Sequence, residues 1–118
     1  MQLGLYGVWT SYARIGQENA AEAAGLVQDL GFGTFWLGGS PRLSSVRPLL
    51  AATDRLTVAT GIVNLWANEP GELAAEYAEL APEFADRLLV GLGVGHPEAT
   101  SDYRRPLSAM RAYEVQTP

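Results

Sequence analysis

Thr60-Gly61-Ile62-Val63-Asn64-Leu65-Trp66-Ala67 closes an apolar, β-branched segment that begins at Leu56. Residues of this kind pack well on a pleated surface, so Leu56 to Val63 is predicted to be a strand. Gly61 stands where that strand leaves its sheet. A glycine there marks a bulge or an unusual backbone conformation, and such strain gathers at functional sites. Downstream, Asn68-Glu69-Pro70 opens a helix with Leu73, Ala74, Tyr77, Ala78 and Ala81 on one face, and Pro82 is expected to end it. Leu88 to Val94 reads as a further apolar strand, and Pro106 to Tyr113 as the start of another helix.

Upstream the same alternation holds. Leu3 to Trp9 is short, apolar and aromatic, which fits a buried parallel strand. Asn19-Ala20-Ala21-Glu22 has the form of a helix cap, followed by Ala20, Ala23, Ala24, Val27 and Leu30 at helical spacing and a stop at Gly31. Thr34 to Leu37 is a short strand that meets Gly38-Gly39-Ser40-Pro41. Ser44 or Ser45 then caps a helix with Pro48 in its first turn, which runs to the turn at Thr53-Asp54. The order βαβαβαβ(α) predicts an α/β fold with parallel strands and right-handed crossovers. Periodicity alone leaves open both a doubly wound sheet and a segment of a TIM barrel.

Composition narrows the function classes. The 118 residues are 47% apolar, enough material for one core. The formal charge of -5, with eight scattered arginines and no lysine, argues against a nucleic-acid partner. With no cysteine and one histidine, a thiol nucleophile, a disulfide framework and a metal site are not expected. No apolar run approaches the roughly 20 residues that span a bilayer, and no cleavable leader is evident, so a soluble, cytoplasmic protein without membrane contact is expected.

Gly91-Leu92-Gly93-Val94-Gly95-His96 superficially suggests a nucleotide-binding loop. The dinucleotide fingerprint needs glycine at its sixth place and a helix opening from it, whereas this run has His96 and then Pro97. Glycines at alternate strand positions instead leave one face bare. That permits either close packing or the approach of a flat ring.

Three runs, T-G-I-V-N-L-W-A at Thr60 to Ala67, W-L-G-G-S-P at Trp36 to Pro41 and L-L-V-G-L-G-V-G-H-P at Leu88 to Pro97, resemble the luciferase-like monooxygenase superfamily. More narrowly, they are similar to a branch of coenzyme F-420-dependent oxidoreductases. The resemblance runs from about Leu3 to Tyr113. It implies a (β/α)8 barrel that holds a flavin or deazaflavin ring across its C-terminal mouth. It also implies that Gly61 and Ile62 form a strand-three bulge behind that ring, with a non-prolyl cis peptide in several members; an ordinary trans turn is the plainer alternative.

At such a mouth, His96 has the pKa for proton transfer, or is simply a loop residue. Asn64 can donate to a ring carbonyl or cap its own turn, and the resemblance favours the cofactor. Thr60, Gly61, Ile62, Gly93 and Gly95 complete the expected ring-binding set with Gly38 and Gly39, while Ser40 beside them can be only a helix cap. Tyr6, Trp9 and Trp66, with Trp36, can wall a planar substrate pocket, or pack the core. Glu98 and Asp102 form a carboxylate pair by spacing, although a solvated loop explains them better. No serine or threonine is placed for nucleophilic hydrolysis.

A complete TIM barrel takes about 250 residues, so a truncated chain is expected: a parallel (β/α)4 half of a TIM-type (β/α)8 barrel over 1–113, with a divergent tail over 114–118. The resemblance implies that the other half binds much of the cofactor's phosphate-bearing tail. Hydride transfer between coenzyme F-420 and a small organic substrate is the leading reading. An FMN-dependent monooxygenase is the alternative, and a half barrel that dimerises without cofactor is the reading from another class. Open strand edges make a homodimer the expected assembly.

Overall fold

The structure, a computed structural model, describes residues 1–94, and within them four strands form one parallel sheet in the order β1-β2-β3-β4. The strands are β1 Gly7–Thr10, β2 Thr34–Leu37, β3 Thr57–Asn64 and β4 Leu88–Gly93. Helices α1 Tyr12–Ile15 and α2 Ala20–Asp29 link the first pair, α3 Arg47–Ala51 the second and α4 Pro70–Phe84 the third. This is the expected α/β arrangement of half a TIM-type barrel. The helix expected at Pro106 to Tyr113 and the tail at 114–118 lie outside the described residues.

Register decides which side chains share a face. Phe35, Val58 and Leu88 stand level across neighbouring strands, as do Leu37, Thr60 and Val90. On the face they share, Phe35, Leu37, Val58 and Leu88 meet Ala20 and Ala24 of α2, Leu49 and Leu50 of α3, and Leu73, Leu80 and Phe84 of α4 in one buried core. Trp9, Trp36, Ala59 and Leu89 lie level on the opposite face. There Trp9 is 60% exposed. The sheet is thus covered by helices on one side, and the other is the side that faces inward in a closed barrel.

Four local expectations are corrected. The first strand is Gly7–Thr10, not Leu3 to Trp9. The residues before it run under the N-terminal end of the sheet, where the hydroxyls of Thr34 and Thr57 donate to the carbonyls of Leu3 and Gln2 at 2.6 and 3.0 Å. Leu5 is therefore 94% exposed where a buried strand was expected. Asn19 does not cap α2 through its side chain; its amide donates to Ile15 O at 2.8 Å, closing the short α1 that Ser11 opens. Ser44 and Ser45 lie in a 3-10 turn, Leu43–Val46, ahead of α3. Pro82 sits inside α4, which continues to Phe84. Proline removes one donor near the helix end, and burial of Leu80 and Phe84 outweighs it.

Two polar anchors, one buried and one half-buried, fix the approach to β3. Gln28 of α2, 8% exposed, accepts from the backbone N–H groups of Asp54, Arg55 and Leu56 through Oε1 at 3.1, 2.9 and 3.1 Å. Arg87 donates to Leu50 O, Leu56 O and the Thr53 hydroxyl, and its guanidinium stacks on the Phe84 ring. Each satisfies backbone groups at the end of α3 that no neighbouring strand reaches. Gln28→Met keeps the volume and removes the acceptor. Unpaired buried donors cost about 1–3 kcal/mol each, so a loss of about 2–3 kcal/mol is expected. The shift of the urea midpoint measures it.

Candidate functional site

The C-terminal ends of the strands gather most of the candidate residues. β3 gains one residue on β4 between Thr60 and Val63, and the peptide bond between Gly61 and Ile62 is cis. Thr60 is fully buried. Its hydroxyl donates to Gly91 O at 3.0 Å and accepts from Gly91 N–H at 2.9 Å, so it holds the bulge to β4.

The bare face left by the glycines is partly filled by the chain's own side chains. A Cβ on Gly93 would lie 1.8 Å from Ile62 Cδ1, and one on Gly38 would lie 2.0 Å from Trp9 Cζ2. Ile62 and the Trp9 indole therefore lie flat on these two glycines. Trp9 also donates to Gly61 O at 3.4 Å, and a Cβ on Gly61 would touch both Trp9 and Trp36. The outer surfaces of Trp9 and Ile62 remain open, Ile62 at 39% exposure. Together they make an apolar platform beside the bulge.

Polar groups rim this platform. Asn64 donates its backbone N–H to Ser40 Oγ at 2.8 Å, and its Oδ1 accepts from Trp66 N–H at 2.9 Å, so the side chain does cap its own turn. Trp66 is tied down through its indole N–H to Val94 O at 2.7 Å. Asn68, which the sequence marks only as a helix opener, donates to Asn64 O at 3.0 Å and reaches Ser40 Oγ at 3.4 Å. Glu69 is the residue that caps α4. The N–H groups of Gly71 and Glu72 hold its carboxylate below the usual value.

Gly39 and Ser40 both have positive φ, 76° and 52°. Ser40 is the non-glycine residue in the left-handed region among the described residues. Its place at the bulge, 24 positions before Asn64, follows only from the pairing of β2 with β3.

Tyr6 is a correction. It precedes β1, and its carbonyl accepts from Gly33 N–H at the N-terminal end of the sheet, so it cannot wall a pocket at the other end. A cavity of about 210 Å³ also opens at that N-terminal end, lined by Gln2, Gly4, Gln28, Phe32 and Arg55. In barrels of this type that end serves stability. Gly95, His96, Glu98 and Asp102 lie outside the described residues. Among the described residues no group of three or more acidic or histidine side chains could hold a metal, and no helix is long and apolar enough to cross a membrane.

Two residues at the end of β1 were not singled out by sequence. Thr10 is buried, and its hydroxyl has no hydrogen-bond partner among the described residues. Tyr12 donates to Ser45 O at 3.0 Å and accepts from the Ser45 hydroxyl at 3.3 Å. Burial pushes its phenol above the ordinary 10.0, against the opposing Ser45 hydrogen bond. A raised folded pKa means a contribution to stability that is complete below the unfolded value and lost as pH rises through the folded one. Tyr12→Phe should therefore flatten the fall in stability above about pH 10. Denaturation midpoints on both sides of that pH check it.

Comparison with curated proteins gives no match. The profile of the luciferase-like monooxygenase family matches residues 2–112, which includes the bulge, the glycine-backed platform and the polar rim. The chain belongs to the luciferase-like monooxygenase family.

Proposed function

We propose that the chain binds the planar ring of a deazaflavin of the coenzyme F-420 type on the Trp9–Ile62 platform, and serves hydride transfer to or from a small organic substrate. The observation that carries this reading is the platform itself. Two large apolar side chains are laid flat on Gly38 and Gly93, beside Gly61, with hydrogen-bond donors along the rim. A flat heteroaromatic ring has that chemistry: apolar faces and polar edges. The ring, when bound, carries the hydride.

The chain's own residues supply position and protons. Trp9 and Ile62 exclude water from one face of the ring. Asn64 keeps its carbonyl oxygen on Trp66, which leaves its NH2 for a ring oxygen. A substrate that accepts hydride must also take up a proton, and His96 is the residue proposed to deliver it. Among the described residues near the mouth, Arg42 is paired with Glu76.

Titration of the chain with oxidised deazaflavin and, separately, with FMN tests the reading, followed by quenching of ring and tryptophan fluorescence. Deazaflavin is expected to bind, and Trp9→Ala to weaken it about tenfold, the loss of one stacked aromatic contact. Preferential binding of FMN would replace the deazaflavin with a flavin monooxygenase. Binding of neither would leave a half barrel without cofactor.

The strand edges support a second copy as partner. Among the described residues β1 and β4 each have one unpaired edge, and both run in the same direction. A twofold axis along the sheet would pair β1 with β4 of the second copy, and β4 with its β1, as parallel neighbours in an eight-stranded closure. Light scattering at micromolar concentration should give the mass of two chains; the mass of one would rule the pairing out.

A further inference from the structure

Ser40 carries two features that its neighbours do not require. A serine at φ 52° is held in a conformation that glycine would adopt without cost, so the side chain has a use that offsets the strain. That side chain accepts two hydrogen bonds, from Asn64 N–H at 2.8 Å and from the Asn68 amide at 3.4 Å. A hydroxyl oxygen has two lone pairs and one proton. With both lone pairs directed at β3 and the turn after it, the proton must point elsewhere. No acceptor among the described residues takes it. Beside it, the Asn64 amide is oriented by the bond from Trp66 N–H to Oδ1, because only the oxygen can accept, so its NH2 is the free end.

We infer that Ser40 and Asn64 form a donor-only edge of the ring site, and that the Ser40 hydroxyl donates to a carbonyl or anionic oxygen of the bound ring. The Ser40 hydroxyl has a second duty as a positioning group, since the same oxygen holds the backbone of Asn64 at the end of the bulge. Selectivity follows from the hydrogen count. An edge that offers only donors accepts a ring oxygen and rejects a ring N–H or amino group at that place, which would leave two donors facing each other. This inference rests on the proposal that a flavin-type ring binds on the platform.

Two variants separate the roles. Ser40→Gly suits the backbone and removes the hydroxyl. Ser40→Asn also tolerates positive φ, and supplies both an acceptor for Asn64 N–H and an NH2 directed outward. Oxidised deazaflavin and FMN are titrated into the wild-type chain and each variant, with affinity and the absorption maximum of the ring as readouts and thermal unfolding as the control for folding.

For whichever ring the wild type binds, Ser40→Gly is expected to bind about tenfold more weakly, with the bound-ring absorption shift lost; Ser40→Asn should recover both. Wild-type affinity and spectrum in Ser40→Gly would overturn the inference and leave the ring proposal standing. Equal loss in both variants would reduce Ser40 to a structural brace and overturn it as well. Binding of neither ring by the wild type would remove this inference together with the proposal beneath it.

Discussion

The reciprocal bonds between the Thr60 hydroxyl and the backbone of Gly91 are the constraint on which the C-terminal end of the sheet depends. Where β3 gains a residue on β4, the ladder fails to pair the N–H and carbonyl of Gly91. The threonine side chain takes both, donating to one and accepting from the other. The approach is so close that a Cβ on Gly91 would lie 2.3 Å from Thr60 O. Everything at the mouth follows from this step. Ile62 turns onto Gly93, Leu65 N–H finds Gly93 O at 3.0 Å, and Asn64 is presented to Ser40.

The two faces of the sheet do different work. The helix-side face is a conventional core of Leu, Val and Phe, which α2, α3 and α4 cover except at Val90 and Leu92, both partly buried. The other face is graded along the strands. At the N-terminal end the hydroxyls of Thr34 and Thr57 are closed off by the backbone of residues 2–3. In the middle stand Trp9, Trp36, Ala59 and Leu89. At the C-terminal end glycine replaces side chain at Gly38, Gly61, Gly91 and Gly93. The N-terminal end of this face is thus closed by backbone, while its C-terminal end is left without side chains of its own beyond Trp9 and Ile62.

The candidate residues divide along the same line. Thr60 belongs to the sheet, because its hydroxyl is fully buried against the backbone of Gly91 and no ligand can reach it. Gly38 and Gly93 act at one remove, by letting Trp9 and Ile62 lie flat. Asn64 and Ser40 hold the rim. Nothing in the composition distinguishes these roles, since a threonine, a glycine and an asparagine within five residues look equally suited to contact a ring.

The alternation of strands with helices and the three glycine-bearing strand ends could be read from the chain alone, because each is a local pattern: β-branched runs, helical spacing and glycine where a strand stops; the short α1 at Tyr12–Ile15 was not read. The bulge at Gly61 was legible for the same reason. What the sequence could not supply is every relation that depends on strand register. That Tyr6 precedes its strand, that Trp9 covers Gly38 across 29 positions, and that Ser40 meets Asn64 all follow from the parallel pairing of β1, β2 and β3. A shift of one residue in that pairing would turn each side chain to the opposite face. Local pattern determined the elements; only their alignment in the sheet decided which of them form a site.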